Sequence, residues 1–198
     1  MKEAHDLAHA LADAKGRAIL GVAGPPGGGK STLAAEIAAR IDGAVVLPMD
    51  GFHLDDDVLA RHGTRDRKGA PHTFDVSGFL SLLNRLRTSE TVFAPRFDRG
   101  QELSRAGAIE IGMDARLVVV EGNWLLHDEG GWAGVQPLLN ATVYLDVDEE
   151  ELRRRLAARW AAHGLSTAES AAKIDGNDLP NARLVAAGKT RADLILRP

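Results

Sequence analysis

The sequence contains no cysteine, which excludes disulfides, thiolate metal sites and a cysteine nucleophile. No apolar run approaches the length needed to cross a bilayer. The first sixteen residues bring acids early and hold no continuous apolar core, so no secretory signal is expected there. Neither sign of charge dominates, and a formal net charge of -4 argues against a general nucleic-acid binder. The expectation is a cytoplasmic protein with neither a membrane nor a nucleic-acid partner, its oligomeric state left open. With 198 residues, 44% of them hydrophobic and 26% charged, the chain suits one domain, 1–198, around one core.

What is present has a clear rhythm. Leu7 and Leu11 sit at i, i+4 spacing within an amphipathic stretch over residues 2–15. Short apolar runs at 18–23, 44–47, 117–120, 141–147 and 194–196 read as buried strands. Helical patterns lie between them, at 31–41, 76–87, 149–162 and 167–174. Alternating short strands and helices predict an α/β fold, a parallel sheet with helices on both faces. The polar stretches 55–73 and 94–107 read as long loops, which in a compact domain are often functional.

Gly24-Pro25-Pro26-Gly27-Gly28-Gly29-Lys30-Ser31 fits the phosphate-loop pattern G-x-x-x-x-G-K-[ST] at every position, with Thr32 after it. A strand precedes it and a helix follows, as the motif requires. Glycines let backbone N–H groups turn toward phosphate oxygens, and the helix N-terminus adds partial positive charge. Lys30 is expected to neutralise the β and γ phosphates of ATP, and the Ser31 hydroxyl to ligate Mg²⁺. The motif establishes nucleotide binding and leaves the reaction open.

Absent motifs narrow the branch. There is no Asn-Lys-x-Asp to read guanine and no Leu-Ser-Gly-Gly signature of a transporter ATPase. A small kinase remains, with a nucleotide-switched regulatory ATPase as the alternative. Glu121 ends the apolar run Val118 to Val120, where the acid supporting Mg²⁺ stands in phosphate-loop folds. Asp50 ends a different run. If the Glu121 strand neighbours the phosphate-loop strand, Asp50 stands one strand further out, about 10 Å sideways at two strand spacings. That distance suits a base facing an acceptor hydroxyl better than a metal ligand.

The motifs MDGFHLDD (49–56), RKGAPHTFD (67–75), APRFDR (94–99), VVEGNWLL (119–126) and NDLPNARLV (177–185) together resemble the phosphoribulokinase, uridine kinase and pantothenate kinase superfamily. Within it, the chain is most similar to a bacterial subgroup provisionally labelled fructose transport system kinases. The resemblance runs from about residue 20 to the C-terminus. It implies a three-layer P-loop NTPase fold with sheet order 2-3-1-4-5, Asp50 as catalytic base and Glu121 on the metal side. The implied activity is ATP- and Mg²⁺-dependent phosphorylation of a small-molecule hydroxyl: a sugar, a nucleoside or a pantothenate-like alcohol.

Two further elements are expected. A lid over about 150–180 carries Arg155-Leu-x-x-Arg159, the pattern whose arginines close over the transferring phosphate in small-molecule kinases. Glu149/Arg153, Glu150/Arg154 and Glu151/Arg155 form i, i+4 pairs, leaving Arg159 without an acid four residues before it. An acceptor flap over about 55–75 carries Arg65, Arg67 and Lys68, cations that suggest an acidic or phosphorylated acceptor. His53 and Arg96 are candidate acceptor residues as well. Asp55, Asp56 and Asp57 suit a helix N-terminus, and Trp124, Trp132 and Trp160 are expected to pack rather than stack on a base.

Overall fold

The computed structural model describes residues 1–88 and 90–198. Lys2–Ala12 forms α1 and Ala18–Ala23 forms β1; the glycine loop then leads into α2 (Lys30–Ala38) and β2 (Ala44–Pro48). A short turn of helix at Met49–Phe52 is followed by α3 (Asp56–Arg61) and α4 (Val76–Leu86). β3 (Val92–Asp98) and β4 (Leu103–Ile111) make an antiparallel hairpin. The chain continues through β5 (Leu117–Gly122), β6 (Ala141–Leu145), α5 (Glu149–Ala162), α6 (Thr167–Lys173), α7 (Leu179–Ala187) and β7 (Leu194–Leu196).

The main sheet is parallel, in the order β2-β5-β1-β6-β7. Counted along its own five strands, this is the expected 2-3-1-4-5. The full numbering differs because the hairpin inserts two strands that the sequence reading took for a loop. Successive residues of β5 face opposite sides. Leu117 and Val119 pack with α1 and α2, whereas Val118 and Val120 pack with α4 and the hairpin. All four are fully buried, each side chain contributing about 1.5–3 kcal/mol. A third, smaller cluster joins Leu152 and Leu156 of α5 to Ile174, Leu179 and Ala182.

Both expected loops turn out to be built structure. In 94–107 the alternation is interrupted at Pro95, where the register of β3 on β4 shifts, and Pro in a sheet is confined to such irregularities. Inward-facing Val92, Ala94, Ile109 and Ile111 nonetheless bury into the core. Within 55–73, Asp55 caps α3 by accepting from the Asp57 amide at 2.9 Å, as its acids suggested. The later part of this segment is fastened down: Trp124 Nε1 donates to the Gly69 carbonyl at 3.0 Å and Trp132 Nε1 to that of Pro71 at 2.9 Å. Residues 174–178 form a π-turn between α6 and α7, and α7 itself is a helix the sequence reading did not expect.

The hairpin docks closely on the turn after β2. A Cβ on Gly51 would stand 2.4 Å from the Pro95 carbonyl oxygen, a backbone atom that cannot swing away. Gly51→Ala is therefore expected to lose about 1–3 kcal/mol of stability, an overpacking cost, read as a lower urea midpoint with the m-value preserved.

Candidate active site

The glycine loop bends through left-handed backbone at Gly27 (φ 74°) and Gly29 (φ 94°), conformations that side chains resist. This delivers the N-terminus of α2 to the end of the sheet with Lys30 as its first residue. Lys30 is 8% exposed, and its Nζ donates to the Pro25 carbonyl at 2.9 Å. Burial lowers its pKa, a shift that the negative charges of Glu121 and Asp50 oppose.

Parallel register puts Glu121 of β5 level with Val22 of β1 on one side and Pro48 of β2 on the other. The Ser31 hydroxyl donates to Glu121 Oε1 at 3.0 Å. Burial raises the Glu121 carboxyl above its ordinary range, against the pull of Lys30 and the Ser31 hydrogen bond. Asp50 stands two residues beyond Pro48, one strand further out, and its Oδ2 accepts from Arg99 Nη2 at 2.5 Å. A cleft of about 360 Å³ opens between these groups at the C-terminal ends of the strands, lined by Lys30, Ser31, Asp50, Arg99, Glu121 and Arg159 among others.

Residues 19–197 match the model of the Phosphoribulokinase / Uridine kinase family. The chain belongs to that family. A solved structure from Silicibacter sp. TM1040, provisionally named a fructose transport system kinase, is 39% identical with a TM-score of 0.90, covering 97% of this chain and 98% of its own. The YggC protein of Escherichia coli (strain K12) is 34% identical over 186 residues, 91% of this chain and 77% of its own length. A Schizosaccharomyces pombe (strain 972 / ATCC 24843) protein, provisionally named uridine kinase C227.14, is 32% identical over 195 residues, 91% of this chain and 83% of its own. The P-loop kinase fold expected from the motifs is the fold of this family member.

Apart from Arg155, the expected site residues divide into three groups. Pro26, Gly27, Gly29, Lys30, Ser31, Thr32, Asp50, His53, Lys68, Glu121 and Arg159 line the cleft. Gly24, Pro25 and Gly28 shape the loop behind it: a Cβ on Gly24 would meet the Leu145 backbone at 3.1 Å, and Gly28 N donates to the Pro25 carbonyl at 3.0 Å. Arg65, Arg67 and Arg96 correct the sequence reading, because none of them lines the cleft. Arg65 pairs with Asp56 at 3.0 Å, Arg67 donates to the Gly176 carbonyl at 2.9 Å, and Arg96 faces, with Arg105, an adjoining surface groove that shares Phe97 and Arg99 with the cleft.

The two α5 arginines also part company. Arg155 is held by Glu151 at 2.6 Å, reaches the Gly28 carbonyl only at 3.5 Å and does not line the cleft. Arg159 turns into the cleft over the Trp160 ring, 5.3 Å from its centroid, and makes no ion pair among the described residues. Of the three anticipated i, i+4 pairs, only Glu151–Arg155 forms. Arg154 pairs with Glu151 as well, Arg153 takes Asp175 at 2.6 Å, and Glu149 takes Arg183 at 2.7 Å.

Several cleft residues escaped the sequence reading as site residues. Arg99, Glu102, Lys173, Asn177 and Asn181 all line it. Arg99, Asn177 and Asn181 lay inside quoted motifs, but the motifs did not say which side chains turn inward. Asn177 Nδ2 donates to the Lys68 carbonyl at 2.9 Å, tying the π-turn to the 55–75 segment.

His53 sits half-buried between the rings of Phe74 (4.1 Å) and Phe97 (4.8 Å), its Nδ1 2.8 Å from the Asp50 carbonyl. Burial holds its pKa below the ordinary 6.5, although Asp50 opposes the shift. The unfolded chain then binds the proton more readily, so His53 contributes stability above the ordinary histidine pKa that is lost as pH falls below it. Thermal midpoints measured from pH 7.5 to 5.0 should therefore fall less steeply for His53→Asn than for the wild type.

Proposed function

We propose that this P-loop kinase transfers the γ-phosphoryl group of ATP to a hydroxyl of a small-molecule acceptor, with Asp50 as the catalytic base. The observation that carries this reading is the separation of the two strand-end carboxylates. Glu121 faces Ser31 beside the phosphate loop, while Asp50 stands across the cleft on the strand beyond.

The metal side fits Mg²⁺. Among the described residues no three His, Asp or Glu side chains gather into an all-protein metal cage. Mg²⁺ needs none, since it is commonly held by one or two protein oxygens together with water and substrate phosphates. The Ser31 hydroxyl and the Glu121 carboxylate would be those protein oxygens. The ion, when bound, would neutralise charge on the β and γ phosphates.

The remaining steps belong to side chains. The acceptor oxygen bonds to the γ phosphorus as the bond to the β–γ bridging oxygen breaks, ADP leaves, and the hydroxyl proton passes to Asp50. Arg99 engages Oδ2 of Asp50 and so leaves Oδ1 to meet the hydroxyl. Lys30 and Arg159 both line the cleft, and Arg159 lowers the pKa of Lys30, which supports a common focus on the transferring group. Residues 150–180 serve as the lid in this reading, with Arg159 as its phosphate-facing arginine. Residues 55–75 serve as one wall of the acceptor site.

Asp50→Asn should bind ATP with affinity within about threefold of the wild type while phosphoryl transfer falls by about 10²–10⁴. Isothermal titration with a nonhydrolysable ATP analogue and a coupled assay of ADP release measure the two quantities. Full acceptor-dependent turnover in the variant would remove Asp50 from the mechanism.

A further inference from the structure

The cations of the acceptor wall are already answered. Lys68 pairs with Asp56 at 2.6 Å and Glu102 at 3.0 Å, Arg99 with Asp50 at 2.5 Å, and Arg65, on the outer side, with Asp56 at 3.0 Å. Three cations meet three carboxylates, so this end of the cleft presents no excess positive charge to an incoming anion. The cations without a carboxylate partner among the described cleft residues are elsewhere. Arg159 and Lys173 both lie over the Trp160 ring, at 5.3 and 4.4 Å from its centroid. Arg159 stands between the two ends of the cleft: it acts on Lys30 of the phosphate loop and is itself acted on by Arg99, Asp178, Asp50 and Glu102. Lys30, Arg159 and Lys173 are thus the cleft cations without an ion pair among the described residues, whereas the cations of the acceptor wall, Lys68 and Arg99, are paired.

Glu102 is the residue that completes this balance. It lies in the turn between β3 and β4 at φ 54°, the one non-glycine residue with positive φ among the described residues. Such backbone is unfavourable for a residue with a side chain and persists where surrounding contacts enforce it. Here the contact is Lys68, whose Nζ bonds both the Glu102 carboxylate and, at 3.2 Å, its carbonyl oxygen. Glu102 also lines the cleft, beside Phe97, whose ring carries Lys68 on it at 5.0 Å and Arg99 at 5.8 Å. The same ring, with His53 and Phe74, offers an apolar surface against which the C–H faces of a small molecule can lie.

We propose that the acceptor of this kinase is an uncharged polyhydroxylated molecule, and that Glu102 is the specificity-determining residue that turns anionic acceptors away. The inference rests on the kinase reading above. Hydroxyl groups can donate to carboxylates that are already ion-paired, because each carboxylate oxygen has lone pairs to spare. A carboxylate or phosphate on the acceptor would instead have to break the Lys68 or Arg99 pairs and stand beside Glu102, Asp56 or Asp50, a like-charge contact that is strongly disfavoured. Removing Glu102 leaves Lys68 with surplus positive charge and relaxes this exclusion.

The test is ADP release by the full chain with Mg²⁺ and ATP over matched acceptor pairs: sugars against their phosphate monoesters, nucleosides against nucleoside monophosphates, and glycerol against glycerate. Wild-type kcat/KM should favour the uncharged member of the accepted pair by at least about tenfold. Glu102→Gln should move that ratio toward the anionic member by about tenfold, chiefly through KM. Glu102→Gly removes the carboxylate while suiting the positive φ, so it should shift the ratio the same way without lowering Tm. A wild type that prefers the anionic member, or a ratio unchanged in both variants, would overturn the proposal while the kinase reading stands. If no acceptor of either charge stimulates ADP release and Asp50→Asn leaves nucleotide turnover unaltered, the kinase reading itself falls and this inference with it.

Discussion

Because β5 lies between β1 and β2 in parallel register, three chain positions arrive level at the same end of the sheet: Val22 before the phosphate loop, Glu121, and Pro48 before Asp50. Parallel strands about 4.8 Å apart cannot bring the ends of β1 and β2 together, so the middle strand must supply the carboxylate nearest the loop. That is why Ser31 meets Glu121 and not Asp50. On the proposed reading, the sideways gap between the two acids is the space in which two substrates can meet. The valines of β5, buried on both faces, hold this spacing against α2 on one side and α4 on the other.

The acceptor side depends on a second constraint, the docking of the β3–β4 hairpin onto the turn that carries Asp50. Gly51 leaves room for the Pro95 carbonyl to close in, and the hairpin tip is thereby set where Arg99 reaches Asp50 and Glu102 reaches Lys68. Lys68 in turn belongs to a segment fastened by Trp124 and Trp132 and tied to the π-turn through Asn177 and Arg67. Each ion pair crosses from one element to another. The charges of the cleft are therefore also its joints, and changing one of them alters both position and potential.

This division explains how far the sequence could be read. The phosphate loop, Asp50 and Glu121 are legible because each sits in a contiguous motif at the end of an apolar run, and a parallel sheet brings such ends to one edge. Arg65, Arg67 and Lys68 look like a free basic loop because their partners lie elsewhere in the chain: Glu102 is 34 residues from Lys68 and Gly176 is 109 residues from Arg67. The same distance effect rearranged the α5 pairs, where Asp175 and Arg183 compete successfully with neighbours one helical turn away. The hairpin was hidden for a local reason. Pro95 and its shifted register break the period of two that identifies a strand.

The proposed lid and the proposed acceptor wall carry their cations under opposite conditions, and on that reading this bears on how the two halves of the reaction are kept apart. Arg159 and Lys173 rest on an aromatic face, an interaction weak enough to yield to a phosphate that offers charge-assisted hydrogen bonds in its place. Lys68 and Arg99 are held by carboxylates, which an entering anion would have to displace against like charge. On the proposed reading, a triphosphate takes up the unpaired cations while an uncharged acceptor meets the paired, hydroxyl-accepting wall. In a cleft of about 360 Å³, it is then which cations are already paired, more than the total charge, that would orient donor and acceptor with respect to Asp50.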